Sequence, residues 1–275
     1  MPQTTSTSHR HRQTRQRRLK SLIRLAAVSL SVLFCMFCLL VIFFPTQYRL
    51  LIPGLRSATD PFFYDPVGTN AFDGIDVSHH QGIIDWPTVA AQPNIHFVYV
   101  KATEGSTHID SLYRRNIVGA RQAGLPVGSY HFLTSSSPVH TQFAHFRTQT
   151  ADFGQDLLPM VDVEWAGVRG WNRTQIQDSL AVFLFLAKKH YGRYPLIYAD
   201  ARFYNDNLSP RFDKLPLFIA RYSDEAPTVK GAHRHYIWQR SQHGRIDGIE
   251  RHVDLNTFAK GTTLNDILLP TTSIP

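Results

Sequence analysis

Leu157–Trp165 reads LLPMVDVEW, and within it Val161 and Val163 alternate with Asp162 and Glu164. Alternation of this kind belongs to a short strand, whose successive side chains point to opposite faces. Asp162 and Glu164 therefore share a face, with Cα atoms roughly 6.5 Å apart at strand rise. Two carboxylates on one face of an apolar strand repel each other and are poorly solvated. That raises one of the two pKa values, so one acid can donate a proton while the other stays ionised. Hydrolysis of a glycosidic bond needs this division of labour. Alone, the pair is equally consistent with a solvated strand end or a structural ion pair, so the neighbouring strands decide.

Working outward, the chain from Gly74 repeats a short apolar strand, a polar turn and a helix. GIDVS (74–78), HFVYVKA (96–102), PVGSYHF (126–132) and PLIYAD (195–200) read as strands around the Asp162 strand. Between them, Asp85–Ala91 starts a helix with Pro87 in its first turn. Asp110 is expected to cap a helix that runs to Ala123 and stops at Gly124. Ser137-Pro138 opens a helix with Phe143 and Phe146 facing inward. Thr174–Gln177 has the form of a capping box, and Ile176, Leu180, Phe183, Leu184 and Ala187 make one buried stripe ending at Gly192. A short helical turn is expected around Phe203. The last third is poorer in helix: PLFIARY (216–222), HYIWQ (235–239) and HVDLN (252–256) look like three more strands. Alternating strands and helices argue for a parallel α/β architecture, read here as five β/α units followed by three strands.

One parity of each strand collects polar and aromatic residues near its C-terminal end, where barrel enzymes build their sites. Asp76, Lys101, Tyr130, Asp162, Glu164, Tyr198, Tyr222, Trp238 and Asp254 form this set. Carboxylates for proton transfer beside aromatic faces for sugar stacking suit an oligosaccharide site. Each residue also has a plain structural alternative, such as Lys101 pairing with Glu104, or Tyr130 and Trp238 as core aromatics.

The front of the chain differs in kind. The formal charge is +8, yet residues 1–24 hold seven of the 29 basic residues and no acid. Taking those seven away leaves 22 basic residues against 21 acidic ones. The remainder is close to neutral and lacks the electrostatic footprint of a nucleic-acid-binding protein. Leu25–Phe44 is an uncharged run of twenty residues, about 30 Å long as a helix and so the thickness of a hydrocarbon core. No small-residue cleavage site follows it, which favours an uncleaved anchor over a signal peptide. The basic flank puts the N-terminus in the cytoplasm and the rest outside, on the periplasmic side of the inner membrane in a Gram-negative cell. Both cysteines, Cys35 and Cys38, fall inside the run, so the exported part has no disulfide. The expected organisation is a basic tail (1–24), an anchor (25–44), a Pro/Gly-broken stem (45–70), a barrel (71–268) and a short tail (269–275).

Eight blocks, in order, resemble glycoside hydrolase family 25, the Chalaropsis-type lysozymes or N-acetylmuramidases. They are GIDVSHHQG (74–82) with IDW (84–86), KATEG (101–105), GSYHF (128–132), DVE (162–164), IY (197–198), IARY (219–222), WQ (238–239) and VDLN (253–256). The resemblance implies an incomplete TIM-like (β/α)5β3 barrel, here preceded by a single transmembrane helix. It also implies cleavage of the β-1,4 bond between N-acetylmuramic acid and N-acetylglucosamine in peptidoglycan, with no cofactor. Carried over by position, Glu164 matches the general acid, Asp162 its partner, and Asp76 and Asp254 the other two acids. Two routes stay open after protonation: Asp162 orienting the substrate's own acetamido group, or a carboxylate acting directly. Arg240 stands where the family usually has an aromatic residue after Trp-Gln, which bears on glycan preference.

Twelve of the fourteen histidines lie beyond residue 44, but no His-Glu-x-x-His helix occurs and no metal site is expected. The main competing reading is a non-catalytic wall-binding or scaffold protein on the same barrel, since a fold does not fix its function. A related endoglycosidase acting on another amino-sugar polymer is a third. The presence of all four acids favours catalysis.

Overall fold

The computed structural model describes residues 72–231 and 235–270. The expected basic tail, anchor and stem all lie outside the described residues, as do 271–275. No helix among the described residues is long and apolar enough to cross a membrane.

In chain order the elements are β1 (Gly74–Val77), α1 (Trp86–Ala90), β2 (Phe97–Glu104), β3 (His108–Ile109), α2 (Tyr113–Gln122) and β4 (Val127–Phe132). Then come α3 (Val139–Thr150), β5 (Met160–Asp162), α4 (Arg173–Tyr191), β6 (Leu196–Asp200), and α5 (Ala201–Phe203), which runs into a π turn. The chain finishes with β7 (Leu217–Ala220), β8 (Ile237–Ile246), β9 (Ile249–Phe258) and α6 (Leu264–Ile267). Eight strands close a barrel in the order β1-β2-β4-β5-β6-β7-β8-β9, with β9 returning to β1 and the short β3 appended to β2. Neighbours from β1 round to β8 are parallel, whereas β9 is antiparallel to both β8 and β1. The eight strands read from the sequence are all present. The last two form a hairpin rather than parallel strands, and each is longer than expected.

The buried strand LFIA is apolar on both faces because one face fills the barrel and the other meets the helices, whereas GIDV carries Asp76 on its inner face. Inside the barrel, Phe97, Tyr99, Met160, Leu196, Tyr198, Phe218 and Ile237 pack into one cluster. Outside it, Val98, Val100, Val161, Ile197 and Ile219 join the stripes Ile176/Leu180/Phe183/Leu184/Ala187 of α4 and Phe143/Phe146 of α3. Ile267 of α6 belongs to the inner cluster, and Leu158 N–H donates to its carbonyl at 2.7 Å, so the C-terminal turn floors the barrel. Gly128 lies on the inner face of β4, where a Cβ would stand 2.5 Å from the Tyr99 ring. Only glycine lets that aromatic cross.

Local details depart from the sequence reading. Helix α2 begins two residues later than the expected cap, with Leu112 at its N-cap and no side-chain cap. Asp110 instead accepts from the Leu112 and His79 backbone N–H groups and lies 2.6 Å from His79 Nδ1. The capping box of α4 is Asn172 with Gln175, not Thr174 with Gln177. Either pairing satisfies the spacing; the extended backbone of Asn172 decides it. Gly124 and Gly192 do terminate their helices with φ of 85° and 76°.

Candidate active site

At the C-terminal mouth of the barrel a cavity of about 180 Å³ is lined by Asp76, Tyr130, Asp162, Glu164, Tyr198, Tyr222, Gln239, Gln242 and Asp254, with Met160 beneath. All four candidate acids and all three candidate tyrosines therefore meet in one place. Strand β5 ends at Asp162 and Val163 N–H donates to the Tyr198 carbonyl, which carries Glu164 one step past the strand into the mouth. A larger groove, about 1190 Å³, lies outside the barrel between α1, α2 and the β8–β9 turn. Its carboxylates Asp85, Asp247 and Glu250 are exposed, so the proton chemistry belongs to the smaller cavity.

Asp76 and Asp254 face each other directly across the β1/β9 pair. Asp76 Oδ2 accepts from Gln239 Nε2 at 2.8 Å and Asn256 Nδ2 at 2.9 Å. Burial raises the Asp76 pKa, while hydrogen bonds from Asn256, Gln239 and Asp254 oppose the rise. Burial pushes Asp254 well above the usual carboxylate range, and the charge of Asp76 and the hydrogen bond to it push the same way. Burial disfavours charge on both acids, so the facing pair keeps a proton between them to higher pH than separate carboxyls would.

Asp162 is raised by burial and then by the neighbouring Glu164 charge, with Lys101 opposing. Its Oδ1 is buried without a hydrogen-bond partner. Glu164 is half-buried, and burial raises its pKa, followed by the charges of Asp200 and Asp76; the Tyr198 hydroxyl and Lys101 oppose. The cavity therefore holds a coupled carboxyl pair that keeps a proton to higher pH than ordinary acids do.

Two candidates stand elsewhere. Lys101 is not on the cavity wall: its Nζ bonds Glu104 Oε2 at 2.8 Å and sits 4.8 Å from the Phe132 ring centre, acting on the acids only through its charge. Trp238 lies off the cavity, with Nε1 donating to the Arg221 carbonyl at 2.7 Å and the Arg240 guanidinium 5.3 Å from its ring. Strand β8 turns Ile237 and Gln239 inward, so Gln239 takes the position expected of Trp238. Arg240, 8 % exposed, reaches Asp224 at 3.5 Å. Sequence reasoning missed Gln239, Gln242 and Asn256. HYIWQ has apolar residues on both parities, and only the register settles which one faces in. His131 points away from the mouth, between Thr103 Oγ1 at 2.8 Å and Gln142 Oε1 at 3.1 Å, and burial lowers its pKa to about 4. Among the described residues no group of three or more His, Cys, Asp or Glu is placed to hold a metal ion.

This geometry can be set beside known proteins. The profile of "Glycosyl hydrolases family 25" matches residues 75–249. An uncharacterised Escherichia coli K12 protein, YegX, is 36% identical over 67% of this chain and 68% of its own length. The "Autolytic lysozyme" of Clostridium acetobutylicum is 34% identical over 68% of this chain and 56% of its own. The solved structure of a bacterial lysozyme from Streptomyces coelicolor superposes with a TM-score of 0.63 at 31% identity, over 72% of this chain and 95% of that one. The profile spans most of the chain and takes in Asp76, Asp162 and Glu164, so the chain belongs to glycosyl hydrolases family 25.

Proposed function

We propose that this protein is a peptidoglycan hydrolase that cuts the β-1,4 bond between N-acetylmuramic acid and N-acetylglucosamine, with Glu164 as general acid and Asp162 as its partner. The observation that carries the reading is the convergence of Asp76, Asp162, Glu164 and Asp254 on one cavity at the barrel mouth. Named lysozymes among the relatives agree with it. Glu164 protonates the leaving glycosidic oxygen as the C–O bond breaks, and positive charge develops on the ring carbon and oxygen. Asp162 lines the cavity and its Oδ1 has no hydrogen-bond partner, so its carboxylate is suited to take the N–H of the substrate's acetamido group and aim its carbonyl oxygen at that carbon. Water then releases the product. Tyr130, Tyr198 and Tyr222 wall the sugar subsite.

The pH behaviour follows in sign. A raised Glu164 pKa keeps the acid form to higher pH, so activity persists below that pKa and falls as pH rises through it. Glu164→Gln is expected to abolish clearing of peptidoglycan in a gel assay while the far-ultraviolet spectrum stays native. Clearing by that variant would remove Glu164 from the role. Mass spectrometry of the released muropeptides reads the new reducing end, and a reducing N-acetylglucosamine in place of N-acetylmuramic acid would refute the bond assignment.

The working location is part of the same reading. Leu25–Phe44 anchors the chain, the basic tail stays in the cytoplasm, and the stem lets the barrel search wall next to the membrane. A periplasm-active reporter fused after Thr271 should be active, and a silent one would reverse this topology.

A further inference from the structure

Outside the cavity, the rim on the β1–β9 side gathers cationic side chains. Past β1 the chain turns through His79–Gln81, and the antiparallel β9 brings Arg251 and His252 up beside that turn. Two hydrogen bonds tie the pieces together. Arg251 Nη1 donates to the His80 carbonyl at 3.2 Å, and Gln81 Nε2 donates to the His252 carbonyl at 3.0 Å. The His79 and His80 rings lie 4.0 Å apart, and His252 meets the His243 ring of β8 at 5.2 Å. His80, Arg251 and His252 are exposed.

The acids nearby are committed elsewhere. Asp110 is buried and taken by His79, 2.6 Å away. Glu104 is taken by Lys101, and Glu250 lines the groove outside the barrel. Arg251 is thus held in place by a carbonyl, which leaves its charge uncancelled, and no acid pairs with it among the described residues. His80 registers the imbalance: burial lowers its pKa first, and His79, Lys101 and Arg251 lower it further, with Asp110 opposing. Cations crowded at an exposed edge without counter-charge favour an arriving anion.

Position names the anion. Asp254 lines the cavity, and His252 and Arg251 precede it on β9 by two and three residues, roughly 7 and 10 Å at strand rise. A muramic acid ring held in the cavity carries its stem peptide on a lactyl ether, and the acids of that peptide are carboxylates. An extended dipeptide covers about 7 Å, enough to reach the rim. Only Nη1 of Arg251 is engaged, so Nη2 and Nε remain to grip a carboxylate at two points, and the His80 ring adds an N–H. We propose that His80 and Arg251 form a subsite for a carboxylate of the peptidoglycan stem peptide, so that the peptide branch is read as well as the glycan. The choice of a stem peptide rests on the cavity taking muramic acid.

A binding measurement tests this without turnover. Full-length Glu164→Gln protein in a nonionic detergent is titrated calorimetrically with N-acetylmuramyl-L-alanyl-D-isoglutamine, which has a free carboxyl group, and with the same compound amidated there. The free acid should bind about fivefold more tightly than the amide. Arg251→Ala should bring the two affinities together, Arg251→Lys should keep part of the gap, and added salt should narrow it. Equal affinities for acid and amide overturn the subsite, as does a gap that survives both Arg251→Ala and salt, or no binding by either compound. Inorganic phosphate should compete weakly; phosphate that displaces the acid at equal concentration makes the rim a general anion patch and overturns the stem-peptide assignment. Were Arg251→Ala to fail to fold, the acid–amide gap and its salt dependence decide. Glu164→Gln protein that still clears peptidoglycan sinks the assignment of Glu164 alone, because the acid–amide gap is read without catalysis.

Discussion

The barrel is built from two unlike arcs. Round the barrel from β1 to β7 the neighbouring strands are parallel, and β1, β2, β4, β5 and β6 each lead into a helical segment before the next barrel strand; β8 and β9 form a hairpin joined by a tight turn instead of a helix. The residues exposed along that hairpin, Arg245, Glu250, Arg251 and His252, are charged or polar, as solvent-facing positions require. Both arcs reach the cavity, with different contributions. The helix-covered arc supplies Asp162 and Glu164 at a strand end, together with Tyr130 and Tyr198. The hairpin supplies Gln239, Asp254 and Asn256, which set the charge and orientation of Asp76. One arc thus brings the reacting acids and the other fixes the electrostatic frame around them.

That contrast can be broken in steps. The largest effect is expected in the covered arc: Glu164→Gln should lower hydrolysis by about 10³-fold, roughly 4 kcal/mol of barrel-mouth chemistry. Turnover of a soluble glycan measures it, with thermal unfolding as the control for folding. Next is the floor of the same arc. Gly128→Val drives methyl groups into Tyr99 and should cost on the order of 2–3 kcal/mol in urea unfolding. Unchanged stability there would mean the inner cluster has slack that its geometry does not show.

The hairpin arc is tested through pH. Asp254 has its folded pKa raised well above the unfolded value, so its stabilising contribution is complete below the unfolded pKa and is lost as pH rises through the folded one. Asp254→Asn removes that dependence. Its melting temperature should fall less than wild type between pH 5 and pH 8, and parallel curves would show that the shared proton is absent. The smallest effect concerns the rim. Trp165 is 52 % exposed beside Glu164, with its ring edge-on to Phe203 at 5.0 Å. Trp165→Ala should raise KM about fivefold, roughly 1 kcal/mol of lost stacking, with kcat nearly unchanged.

Most of this was legible where periodicity and burial coincide. The stripe of α4 and the alternation around Asp162 are dictated by one buried face, and both appear in the fold as the pattern requires. Legibility ended where two local solutions cost about the same. Asn172 and Thr174 are both competent caps, and Asp110 is better used by His79 than by a helix end. In HYIWQ both faces carry apolar residues, so Trp238 and Gln239 could not be ranked until β8 was registered on β7. The hairpin did carry a signal: Asp247-Gly248, a two-residue turn with Gly248 at φ 92°, joins Ile246 to Ile249. The floor carried none, because Ile267 enters the barrel through contacts far away in sequence.

The union of β1 with β9 has a consequence for how the chain comes into being. The first strand of the barrel finds its second neighbour only when Asp254–Asn256 have been made, some 180 residues after it. Until then β1 and β8 each present a bare edge. A chain that ends before Phe258 is therefore an open, sticky sheet rather than a smaller barrel, and should be found with chaperones or in aggregates.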